Sequence, residues 1–260
     1  MHSKEPTLLS GEERTGHAAR YGLEGMAFPE AGAALRLALQ KTSGLTKVGL
    51  VDSVGWRRDA AAVPLLTPLL SAGDATIASA AAAALGRIGG QDAIAALVAA
   101  RDQAPPDVQV TVWNSLLQCA EQLLASGDAR GAADLGRDLD APKFPAHIRA
   151  AAWRCRVLAD AGARAELITQ ALSSQEPQRH AVALKMPREL DDAQVVRACL
   201  REWASLPEDV QLAVLDADLK RGANELRLKV TQGGGGWAAW ARIVGTDGLA
   251  IAGLKAQAER

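Results

Sequence analysis

The chain repeats itself every 31 residues. Thr46, Ile77 and Val108 hold the same place in successive copies (77 − 46 and 108 − 77), and one step back lands on Thr15. A fixed period of this size marks an array of small units, none of which buries its apolar face alone. The most regular copy runs from Ile77 to Arg101, IASAAAAALGRIGG followed by QDAIAALVAAR, two apolar-periodic segments joined by a glycine-bearing corner. HAARYGLEGM, VGLVDSVGW and SAAAAALGRI fill one slot of the repeat. AALRLAL at Ala33 to Leu39, PLLTPLL at Pro64 to Leu70 and AALVAAR at Ala95 to Arg101 fill the next. Leu35, Leu66 and Leu97 therefore form one column, as a core continuous through stacked helix pairs requires.

Further on, PPDVQVTVW, PAHIRAAAW, EPQRHAVAL and PEDVQLAVL are four copies of one helix entry. Their reference positions, Val108, Ile148, Arg179 and Val210, are 40, 31 and 31 apart. Each places Pro in or before the first turn, where a missing N–H costs nothing. The longer step predicts either a longer inter-helix segment around Leu124 to Gly131 or an extended helix. Trp113, Trp153, Leu184 and Leu215 fall on one column of first helices. A unit then comprises a first helix of about 14 residues, a short corner and a second helix of about 11, with loops in the usual range. Leu85, Ile88, Ile94, Leu97 and Val98 supply the inward stripe of the third unit.

The composition agrees. Hydrophobic residues make up 48% of the chain but include one Tyr and two Phe, the load being carried by strong helix formers such as Ala and Leu. The expected class is all-α. A formal charge of -1 provides no global field to recruit nucleic acid or an anionic membrane. Cys119, Cys155 and Cys199 lack metal, redox or haem spacing and read as buried small apolar residues, which suits a reducing compartment. No signal-peptide or membrane-spanning pattern stands out, so a cytoplasmic protein is the default expectation. The organisation expected is a lead-in over residues 1–13, an array over 14–232, and a glycine-rich turn with a degenerate repeat or cap over 233–260. Trp237 and Trp240 follow the run Gly233 to Gly236.

These units resemble HEAT-like repeats of the short kind, roughly 30 residues long and named after phycobilisome lyases. AAAALGRIGGQDAIAALVAA at Ala81 to Ala100 and VDSVGWRRDAAAVPLLTPLL at Val51 to Leu70 carry the likeness. The resemblance implies a right-handed α-solenoid of about seven stacked hairpins, with second helices lining a concave face. It also implies a non-enzymatic scaffold for a protein partner. Two enzymes on a similar scaffold are alternatives, one bilin lyase-like and one resembling alkylpurine DNA glycosylases. A repeat portion of a larger protein is a third.

Arg36, Thr67, Arg101, Arg137, Gln170, Arg197 and Arg201 lie on second helices. They form a candidate ladder of donors for an acidic or carbonyl-rich protein, Arg being suited to forked recognition. The plainer reading pairs some of them with Asp134, Asp138 or Glu202. Trp113 and Trp153 read as core, whereas Trp56 and Trp203, near helix ends, read as exposed. His17, His147 and His180 are spaced too widely for a metal site, and the His–Glu pairs of iron-binding HEAT-like hydroxylases do not occur. Gly86, Gly89 and Gly90 read as helix terminators. No catalytic, cofactor or metal residue is expected, and neither nucleic acid nor membrane is an expected partner.

Overall fold

The computed structural model describes residues 11–190 and 192–201. The helices run α1 Gly11–Gly25, α2 Pro29–Lys41, α3 Gly44–Trp56, α4 Val63–Leu66, α5 Ala75–Ile88, α6 Gly90–Ala100 and α7 Pro106–Ser126. They continue as α8 Ala129–Leu139, α9 Ala146–Ala159, α10 Arg164–Leu172, α11 Pro177–Ala183, α12 Met186–Leu190 and α13 Ala193–Arg201. No strand occurs among the described residues, and the fold is an all-α stack of helical hairpins. Val210, Leu215, Trp203, the second helix expected at Glu225 to Val230, the glycine run and Trp237 and Trp240 lie outside the described residues. The first helix starts at Gly11, inside the stretch expected as a lead-in.

First helices stack on first helices: α3 packs on α5, α5 on α7, α7 on α9 and α9 on α11, with α6 against α5 and α7, and α8 against α7 and α9. The seams repeat with the sequence. Glu24, Gly55 and Gly86 are 31 apart (55 − 24, 86 − 55), as are Ser53, Ala84 and Ser115 (84 − 53, 115 − 84). The two columns meet across each junction. Ser53 Oγ donates to Glu24 Oε1 at 2.6 Å. A Cβ at Gly55 would stand 2.8 Å from Ala84 Cα, and one at Gly86 would stand 2.8 Å from Ser115 Cβ. Gly86 is thus not a terminator. It is buried inside α5, and its missing side chain lets α7 approach. Termination falls to Gly89 and Gly90, with φ of 66° and 76°, a region that strains any residue with a Cβ.

Leu35, Leu66 and Leu97 are fully buried in one core that also takes Leu85, Val108, Val112 and Ile148. Ile88, Ile94 and Val98 pack against it half-buried. Fully burying such a side chain contributes ~1.5–3 kcal/mol, so the column alone outweighs any surface ion pair. A second core holds Trp153, Val157, Ile168, Met186 and Cys199. Helix α9 joins the two, giving Ile148, Ala152 and Cys155 to the first and Trp153 and Val157 to the second.

Two expectations resolve or change in detail. The 40-residue step is an extended helix, the 21-residue α7, which ends at Gly127 with φ 88°. PLLTPLL is not one helix. Helix α4 stops at Leu66 and a 3-10 segment, Thr67–Ser71, follows. Pro68 supplies no N–H to the carbonyl of Pro64 and its ring crowds that turn, so the regular ladder cannot continue.

Candidate functional site

The seven candidate residues fall in different surroundings. Arg36, on α2, pairs with Asp59. Both line a small cleft of about 200 Å³ with Pro29, Gly32 and Arg57. Thr67 is exposed but donates its hydroxyl to Val63 O at 2.9 Å, so the hydroxyl proton is used locally. Arg101 caps α6 and has a side chain only 14% exposed. It pairs with Asp102 at 3.1 Å and with Asp138 of α8. Its guanidinium also lies 5.9 Å from the Phe144 ring centroid, and its carbonyl accepts from Trp113 Nε1 at 3.3 Å. Arg101 therefore ties the third unit to the fourth.

Arg137 is exposed and pairs with Asp134 at 2.6 Å on its own helix. It stands between two open clefts of about 300 and 530 Å³, the second lined by Asp134, Leu135, Asp138 and Ala141. Gln170 is exposed and donates to Glu166 Oε1 at 2.9 Å on α10. Arg197 and Arg201 are exposed on α13. Arg101 and Arg137 thus share one neighbourhood, α8, while Arg36 sits in a cleft of its own. Exposed pairs such as Arg137–Asp134 are worth little and open readily for a better partner. Arg101 is not available in that way.

The three tryptophans among the described residues fall as expected. Trp153 is buried, Trp113 is half-buried with its ring edge-on to Phe144 at 5.5 Å, and Trp56 is exposed. Cys119 and Cys155 are free and buried, and burial pushes each thiol up to about 11, so neither is a thiolate nucleophile near neutral pH.

Among the described residues, the most connected charge cluster involves none of the candidates. Asp140, at the end of α8, has a side chain 6% exposed and accepts from Arg156 of α9 at 2.6 Å and from Arg179 of α11. Glu176 pairs with Arg179 at 3.4 Å and with Arg149. Burial pushes the Asp140 carboxyl above its ordinary value of 3.8, overcoming the opposing pull of Arg179 and Arg156. A buried carboxylate shared by guanidiniums from two following units is a clasp: it sets the register of α8, α9 and α11 where the two cores meet. Asp102 shows the contrasting case. Hydrogen bonds from Lys143 and Arg101 hold this exposed carboxyl below its ordinary value.

Nothing in the sequence pairs Asp140 with Arg179, which is 39 residues away. Nor does any motif mark Arg57. The Arg57 guanidinium donates to the carbonyls of Leu23 at 2.6 Å, Glu24 at 3.2 Å and Phe28 at 3.2 Å, and to that of Met26. It satisfies the open end of α1 and fixes the α1–α2 corner. Residues 32–114, from α2 into α7, match the family model of HEAT repeats. No curated protein matches the chain.

Proposed function

We propose that this HEAT-like repeat protein is a non-enzymatic scaffold that binds a protein partner along the face carried by its second helices. Repeats of this family commonly mediate protein interactions, and the stacked-hairpin arrangement of the matched segment continues through α10. One observation carries the reading. Arg137, Gln170, Arg197 and Arg201 stand exposed on helices from α8 to α13, and the clefts beside Arg137 are open rather than an enclosed chamber. A wide surface of replaceable donors fits another protein's carboxylates and carbonyls better than it fits a small substrate.

The test is affinity capture with the tagged full chain from its source cell. The comparison is a variant with Arg137, Arg197 and Arg201 each changed to Glu. Arg101 stays untouched because it joins two units. The reading predicts that a protein is recovered with the natural chain and that recovery falls at least fivefold with the variant. Equal recovery by a variant of unchanged helicity removes this face from the interaction.

A further inference from the structure

In a chain this poor in aromatics, placement carries information. Trp113, Phe144 and Trp153 pack inside, whereas Tyr21, Phe28 and Trp56 are 59%, 68% and 69% exposed. The exposed three lie at or just before the corners of the first two units, with Met26, 47% exposed, between Tyr21 and Phe28. Arg57 holds this edge in place. By drawing the carbonyls of Met26 and Phe28 onto its guanidinium it fixes their backbone, and it is the chain neighbour of Trp56. Rigidly presented, exposed aromatic side chains are the usual anchors of protein interfaces.

Arg58 is the second observation. Its N–H donates to Gly55 O and the Asp59 N–H donates to Val54 O, both at 3.0 Å, which closes α3 in a Schellman turn. The turn puts Arg58 at φ 50°. One repeat later (58 + 31) the register position is Gly89, also at positive φ, 66°, in a corner of different shape with ψ -158°. Positive φ favours glycine, and the second unit carries an exposed guanidinium there instead. It opens onto a cleft of about 670 Å³ that the long end of α7 lines with Gln118, Glu121 and Gln122. Among the described residues no carboxylate lies within ion-pair distance of Arg57 or Arg58.

We infer that this corner edge docks an acidic segment of a partner protein that carries an aromatic or aliphatic anchor. The anchor buries against Phe28 and Trp56, and carboxylates meet Arg58. The inference rests on the scaffold reading and gives the partner its chemistry. A second copy is a poorer occupant, since a two-fold contact through this edge sets Arg57 and Arg58 against themselves. Surface charge makes the contact weaken with added salt.

The test uses the full chain to select from a random 12-residue peptide display library, followed by anisotropy titration of the enriched peptides. Enriched peptides should combine Asp or Glu with Phe, Trp or Leu. Affinity should fall at least tenfold in the Phe28→Ser, Trp56→Ser double variant and at least fivefold in Arg58→Glu. Arg58→Gly separates binding from folding: it should weaken binding at least threefold while raising the melting temperature. No enrichment, enrichment of basic peptides, or affinities indifferent to these changes overturns the inference. So does a dimer that the double variant dissolves, which assigns the edge to a second copy. Peptide binding lost only in the Arg137, Arg197, Arg201 variant overturns this surface and leaves the scaffold reading in place.

Discussion

Gly86→Ala tests the packing that builds the array. Two effects oppose each other. Alanine stabilises a helix interior by about 1 kcal/mol relative to glycine. At Gly86, however, the added carbon would stand 2.8 Å from Ser115 Cβ and 3.0 Å from Ser115 Cα. Carbon atoms prefer roughly 3.5–4.0 Å, so α5 and α7 must part by about half an ångström or more, which forfeits a quarter to a half of each dispersion contact along the seam. The atom in the way includes backbone, which cannot swing aside. Overpacking costs about 1–3 kcal/mol, and with backbone in the way the upper part of that range, about 2–3 kcal/mol, applies, leaving a net loss of about 1–2 kcal/mol after the propensity gain. For a chain of this size that corresponds to a fall of about 3–6 °C in melting temperature, read by circular dichroism. Gly22→Ala is the control. It sits on α1 with nothing within 4 Å of the new carbon, so propensity acts alone and stability should rise. If Gly86→Ala also melts at or above the natural chain, the close approach of first helices at the glycine column is wrong.

Other consequences follow from the same geometry. Leu97→Asp puts an unpaired carboxylate into the column with Leu35 and Leu66, and stability should fall by about 3–5 kcal/mol in a urea titration. By carbon NMR, Asp140 should titrate above its ordinary 3.8 and Asp102 below its own, as should Asp192, which accepts the Gln194 N–H at the start of α13 and pairs with Arg164. The stability contribution from Asp140 is then complete below 3.8 and lost as pH rises through its raised value, whereas those of the other two are present above 3.8 and lost as pH falls through theirs. Cys119 and Cys155, raised to about 11, should resist a thiol reagent at pH 8 in the native chain and react on unfolding.

The period made the fold legible because burial is itself periodic: the leucine column, Trp153 and the stripe around Leu97 are buried or half-buried where 31-residue register places them. What register could not show is which partner a residue meets. Gly86 looks like a terminator beside Gly89 and Gly90, and only the distance to Ser115 reveals it as a contact. PLLTPLL matches its copies in apolar pattern, yet Pro68 divides it because a single missing N–H outweighs the pattern. At the candidate site, arginine on a second helix was readable, and so were Asp134 and Asp138 as pairing acids, but which arginine meets which acid was not. Arg101 finds Asp138 across 37 residues of sequence, and Asp140 gathers guanidiniums from two later helices. Arg58 was within reach of a sequence reading, since its alignment with Gly89 sets a charged side chain at a corner where positive φ recurs.

Site-specific photo-crosslinking in the source cell tests the scaffold account most directly. A benzophenone side chain is placed in turn at the positions of Phe28, Trp56, Gln170 and Arg197, all exposed. The account predicts a discrete protein adduct from at least one of these positions and none from a control at the buried Leu97. Four exposed positions that yield no protein adduct, in a chain shown to be folded, contradict it.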